Sequence, residues 1–433
     1  LFSAPLFTLG LTNRCKQLIN FSSSSAKLIE RFSWKQLEFD WPSPQAKEEA
    51  IKLGLYEPKN NLPLGVERWN NKLFITVPRW KAGVAASLNY IDLNSPEKSP
   101  KLRPYPNWET ATLPPVKQAA TGMPQNGENM IEDVQLKDNA TVVSTFRMQT
   151  DVCDRLWVLD TGLADILGDP KQVAPNAIVI FDLKTDKLVR RFNIPKDQIK
   201  EDSFFANIII DSERSECNNA YAYVPDLGAY GVVVYSFRDN HSYRVKHNFF
   251  HFDPLNGDFN VGGVNFQWTD GVFGMAVGPL RPDHSREIYF HALASTKEFK
   301  VSNRVLQNET HVTSPAAYYD FKYVGDRGMN GQSTAEVYDK ETGVIFYTQV
   351  NKDAIACWNV KRPYNVDSQG LIDSDSHTLV FPNDMKIDNE GNIWVLSDKM
   401  PTYLFKELDY SAVNYRILMG RNRDLIKGTP CDL

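Results

Sequence analysis

Read for its hydrophobic and polar positions, the chain repeats one short phrase. "CDRLWVLDTG" (153–162) and "EGNIWVLSDK" (390–399) each set turn residues ahead of an apolar residue, then Trp-Val-Leu, then a small or acidic group. "WNNKLFITVPRW" (69–80), "CNNAYAYVPD" (217–226), "SREIYFHALAS" (285–295) and "ETGVIFYTQV" (341–350) have the same form. Polar turn residues followed by alternating apolar and aromatic positions are the mark of a β-strand entered from a turn. The copies centre near Phe74, Trp157, Ala222, Tyr289, Ile345 and Trp394.

A short alternating strand and an acidic turn precede most copies, as in "NDMKIDNEGNIWVLSD" (383–398). The pair predicts an antiparallel hairpin. A second hairpin follows some copies, at 177–195 and 230–245. Two hairpins make a four-stranded antiparallel blade, so the repeats predict an all-β, six-bladed β-propeller. The aromatic residues of the repeated strand are then expected in the core between blades rather than around a cofactor. Helical periodicity is nearly absent. The best helix lies within "SPQAKEEAIKLGLY" (43–56), with Ser43 as N-cap. Residues 1–27 read as a leader or signal-peptide remnant, and 28–433 as a single propeller domain.

Composition narrows the function classes. A 42% apolar and 12% aromatic chain can build a large core. Its net charge of −5 argues against a nucleic-acid partner. No apolar run approaches the ~18 residues of a membrane helix, so no membrane partner is expected. A monomer is expected. Asn20, Asn139, Asn240 and Asn308 open Asn-X-Ser/Thr sequons in polar, turn-like settings, which favours a secreted, extracellular glycoprotein. The five cysteines form no CxxC pair, and in an oxidising compartment four of them can make two disulfides. GxSxG, HExxH, GxGxxG and P-loop signatures are missing. No metal or cofactor is assigned. The seven histidines are scattered and read as surface or packing residues.

Propellers concentrate function at the mouth of the central channel, where the inner strands begin. Reading just ahead of each repeat gives Gly65, Glu67, Asn207, Asp270, Ser333, Asn383 and Asp384, with Arg79 and Asp226 from segments that follow repeat strands. Such Asn and Asp side chains can hold a cation through oxygen, hydrogen-bond a small polar ligand, or cap strand ends and hold water.

Longer blocks carry a resemblance. "RFSWKQLEFDWP", "NNLPLGVERWNNKLFITVPRW", "CDRLWVLDTG", "DPLNGDFNVGGVNFQWTDGVFGMAVGPL", "IACWN" and "IWVLSDKMP" together resemble the insect Yellow and major royal jelly protein family, nearer its Yellow branch. The resemblance runs from about Leu28 to Leu433 and implies a six-bladed propeller, secretion, and a part in cuticle pigmentation and melanisation. Some members convert dopachrome, and salivary relatives bind biogenic amines in the channel. Yellow-type chains usually carry a Cys after "PYPNW" and another before the "VFDL"-like strand, and this chain has neither. The resemblance then implies the pairs Cys153–Cys217 and Cys357–Cys431, with Cys15 unpaired.

Two classes of function follow. A dopachrome tautomerase needs a general base, for which Asp270, Asp384 and Asp226 are candidates, and a clamp for the acid group, for which Arg79 is one. Asn207, Ser333 and Asn383 would then contact the ligand. A non-enzymatic binder of dopamine, serotonin or a similar small aromatic ligand needs only aromatic walls and a counter-ion such as Asp270 or Asp226. A calcium-dependent, lactonase-like propeller is a third and weaker reading.

Overall fold

A computed structural model describes residues 27–113, 136 and 138–433. Six four-stranded antiparallel sheets form the blades of a β-propeller. The innermost strands are Gly65–Trp69, Thr145–Thr150, Ile209–Asp211, Val272–Val277, Glu336–Asp339 and Pro382–Ile387, which we take as opening blades 1 to 6. Each contacts the next, and the sixth contacts the first, so they ring a central channel.

The repeated phrase is the second strand of every blade: Lys72–Thr76, Arg155–Asp160, Tyr221–Asp226, Glu287–Ala292, Val344–Gln349 and Asn392–Ser397. Neighbouring blades cover both its faces. Phe74, Trp157 and Ala222 are fully buried, and Tyr289, Ile345 and Trp394 nearly so. The acidic turn ahead of the phrase has a local cause. Asp151 Oδ1 accepts from the backbone N–H groups of Cys153 and Arg155, and Oδ2 accepts from Trp157 Nε1 at 2.8 Å. Asp388 repeats these bonds to Glu390, Asn392 and Trp394 Nε1, the last at 2.8 Å. One carboxylate thus closes the turn and satisfies a buried indole, which would otherwise lose a hydrogen bond to water.

The ring closes by mixing the two ends of the chain. Ile29–Trp34 pairs antiparallel with Tyr415–Arg421 as the outermost strand of blade 6. A disulfide joins Cys153 to Cys217 across the turns of blades 2 and 3. Another joins Cys357 in blade 5 to Cys431 near the C-terminus. Both are the pairs that the family resemblance implies. The expected helix spans Pro44–Lys52, with Ser43 Oγ accepting from the Ala46 N–H. Cys15, Asn20 and nearly all of the expected leader lie outside the described residues.

Closure by an outermost strand makes a contrast within that strand measurable. Phe32 is fully buried, whereas Ile29 is 69% exposed. Phe32→Ala should cost ~3–5 kcal/mol in denaturant unfolding. Ile29→Ser should stay within about 0.5 kcal/mol of wild type.

Candidate functional site: an aromatic cavity at the channel mouth

Among the described residues Arg147 lines two cavities of the channel, one above the other. Arg147 rises from the innermost strand of blade 2 and crosses the channel. Its Nη1 donates to the Thr334 carbonyl at 2.8 Å, and its Nη2 to the carbonyl and side chain of Asn383. Its Nε lies 3.5 Å from Asp384 Oδ1, and its guanidinium sits 4.2 Å from the centre of the Phe273 ring. One side chain therefore touches blades 4, 5 and 6 from blade 2. Nothing in "STFRMQT" set this Arg apart, because its period-2 pattern reads as an ordinary strand.

The upper cavity, of about 210 Å³, opens where the inner strands begin. Its wall is mostly apolar, with Trp80, Phe146, Phe204, Trp268, Phe273 and Phe381 as the aromatic part. The rings brace one another. Phe146 packs against Trp80 at 5.1 Å and Phe204 at 5.0 Å, and Trp268 meets Phe381 edge-on at 6.0 Å. Inserts outside the blades help to cover it. Helix Met400–Phe405 contributes Met400 and Leu404, and the segment after the second strand of blade 2 contributes Ile166 and Leu167. A hairpin of Asp258–Val261 with Val264–Gln267 leads directly to Trp268.

Asp270 lines this cavity as the one acidic side chain in its wall among the described residues. Its half-buried carboxylate has no hydrogen bond or ion pair among the described residues, and burial alone pushes it up to about 6. A carboxylate poised there is a competent base near neutral pH and a counter-ion for a cationic ligand.

The other sequence-predicted residues are placed differently. Asp384 is fully buried beside the lower cavity, where it accepts from the Val66 and Met385 N–H groups and pairs with Lys386 at 2.8 Å. Lys386 and Arg147 hold it below the usual carboxylate range despite burial, so it joins blade 6 to blade 1 rather than offering a base. Asp226 is also fully buried, bound to Arg244 at 2.8 Å, to Ser203 Oγ at 2.6 Å, and to the N–H groups of Phe204 and Ala229. Among the described residues Arg79 donates only to backbone carbonyls, those of Val84, Ala85, Ala111, Val142 and Val143, which occupy its guanidinium donors.

Asn207 lines the lower cavity and donates to the Phe273 carbonyl at 2.8 Å. Ser333 is fully buried, with its Oγ on the Ala335 carbonyl. Asn383 lines the upper cavity but donates to Asp398 at 2.5 Å. Glu67 bonds the Arg68 and Thr150 N–H groups, and burial raises it to about 7. Gly65 has no room for a side chain, since a Cβ would meet the Phe146 carbonyl at 2.5 Å. Asn139, Asn240 and Asn308 are exposed, as a glycosylation acceptor must be.

Two outcomes test this arrangement. Arg147→Met should cost ~3–5 kcal/mol in denaturant unfolding, since it strips a buried charge from its partners. Asp398 is buried and raised to about 8, so the folded chain binds a proton there that the unfolded chain has released. That group's contribution to stability is therefore present at low pH and is lost as pH rises from about 4 towards 8. Asp398→Asn should remove that part of the slope in unfolding measured across this range.

The family model for major royal jelly protein matches residues 143–431. Protein yellow of Drosophila subobscura is 42% identical over 96% of this chain and 69% of its own length. Protein yellow of Drosophila melanogaster is 40% identical over 96% of this chain and 73% of its own. Among solved structures, a luciferin-regenerating enzyme superposes with a TM-score of 0.47 and 10% identity over 88% of this chain and 94% of that one, a likeness too weak to carry an argument. The chain belongs to the Yellow and major royal jelly protein family.

Proposed function

We propose that this chain is a secreted Yellow-like protein of melanin and cuticle pigmentation whose upper cavity takes dopachrome or a related catechol or indole compound. The observation that carries the reading is the unpartnered Asp270 carboxylate in an aromatic-walled cavity. A cavity of about 210 Å³ suits one or two fused rings, and the rings of Trp80, Phe146 and Trp268 offer them flat, apolar surfaces. Dopachrome conversion removes a ring proton as the indole aromatises, and Asp270 is the base within reach of that cavity. The two disulfides support secretion, because such bonds persist in oxidising compartments. The exposed sequons support it too.

A second reading has its own observation. Arg79 and Arg147 spend their donors inside the fold, so among the described residues no free cation lines the upper cavity to meet a ligand carboxylate. An uncompensated Asp270 among aromatic rings suits an ammonium-bearing aromatic such as dopamine or serotonin, bound without chemistry.

Dopachrome absorbance decay separates the two readings. The catalytic reading predicts faster decay with native protein than with heat-killed protein. The rate should rise with pH through about 6, as Asp270 ionises, and then level off. Asp270→Asn should abolish the effect. No acceleration, with saturable dopamine or serotonin heat that Asp270→Asn removes, would establish the binder. Neither signal would refute the site.

A further inference from the structure

A buried cluster between blades 4 and 5 takes no part in the reading above. His291 and Glu298 come from blade 4, Arg327 directly follows its last strand, and Glu336 lies on the innermost strand of blade 5. The imidazole of His291 is fully buried. Its Nε2 lies 3.2 Å from the Ser333 carbonyl oxygen, which can only accept, so Nε2 carries a proton and donates it. Its Nδ1 lies 3.2 Å from Glu298 Oε2 and 3.3 Å from Glu336 Oε2. The site is cut to this ring, since a Cβ on Gly274 would come within 2.2 Å of Nε2.

The charges do not cancel without a further positive species. Arg327 Nη1 lies 2.7 Å from Glu298 Oε2, and its other donors serve the Gly331 and Ser295 carbonyls. That offsets one carboxylate and leaves one. Glu298 Oε1 and Glu336 Oε1 are also buried without a hydrogen-bond partner among the described residues. A buried anion short of donors is costly, so this position calls for a cation.

We propose that His291 Nδ1, Glu298 and Glu336 bind a divalent transition-metal ion of the zinc or manganese class. Ligands ~2.1 Å from a tetrahedral ion stand ~3.4 Å apart, close to the Nδ1–oxygen separations here. The Nε2–H bond to a backbone carbonyl is the outer contact that orients a metal-bound imidazole. One nitrogen with carboxylate oxygens favours this class over calcium, which takes oxygen throughout. Glu336 also lines the lower cavity, of about 100 Å³, so the channel supplies an approach. The ion would tie the second strand of blade 4 to the innermost strand of blade 5.

The competing occupant is a proton on Nδ1, giving an imidazolium shared by the two carboxylates. Metal analysis of the purified full chain, then calorimetric titration of chelator-dialysed protein with Zn²⁺ and with Mn²⁺, decides between them. The proposal expects one saturable site per chain and a Tm that rises on adding the ion. His291→Gln and Glu336→Gln should each weaken binding by more than the roughly 10–100-fold that loss of an outer-shell partner costs. Wild-type protein that gives neither heat nor a Tm shift would overturn the proposal without reference to any variant. So would metal binding that both variants retain, which would place the ion elsewhere.

Discussion

The channel is organised by Arg147, a buried cation held across the axis of the ring. A guanidinium cannot shed its proton at ordinary pH, so its burial demands acceptors on every side. The ring supplies them: the Thr334 and Asn383 carbonyls, the Asp384 carboxylate and the face of Phe273. These come from three blades, so the guanidinium fixes their relative positions at the axis. It also divides the channel. Below it lie Asn207, Asp384 and Lys386, whose polar groups are bonded to one another or to neighbouring strands, and above it lies an aromatic cavity with one uncommitted carboxylate. The contrast between the two levels is the ground for proposing that the upper one takes the organic ligand.

Much of the fold was legible because each blade solves the same burial problem with the same words. The Trp-Val-Leu strand is covered on both faces, and its Asp, six residues ahead, is needed by the turn and the indole together. That double duty explains the acidic residue in the turns that lead into the second strands of blades 2 and 6. Blade 1 is harder to read, since its outermost strand, Arg103–Pro104, is only two residues long. Blade 6 is harder still, because its outermost strand comes from the far end of the chain.

The residues of the candidate site were legible in position along the channel, but their bonding was not. Reading the starts of the inner strands found Asp270, Asn383 and the mouth itself. It did not separate a carboxylate facing an open cavity from one already bonded. Asp226 and Asp384 look like Asp270 in sequence, and only their partners, Arg244 and Lys386, distinguish them. Those partners lie on other strands or two residues along one strand, at spacings no motif encodes. Arg79 shows the converse, a cation in the expected region whose donors all serve backbone carbonyls. The His291 cluster was hidden for the same reason, since its members lie on four segments and meet only after the blades stack.

The central claim is that the upper cavity, and Asp270 within it, receives a small aromatic ligand. A crystal structure of the chain grown with dopamine tests it most directly. The account predicts a ring between the aromatic walls, above Arg147, with a polar group of the ligand in hydrogen-bond reach of the Asp270 carboxylate. Dopamine bound only below Arg147, or only on the outer face of the blades, would contradict it.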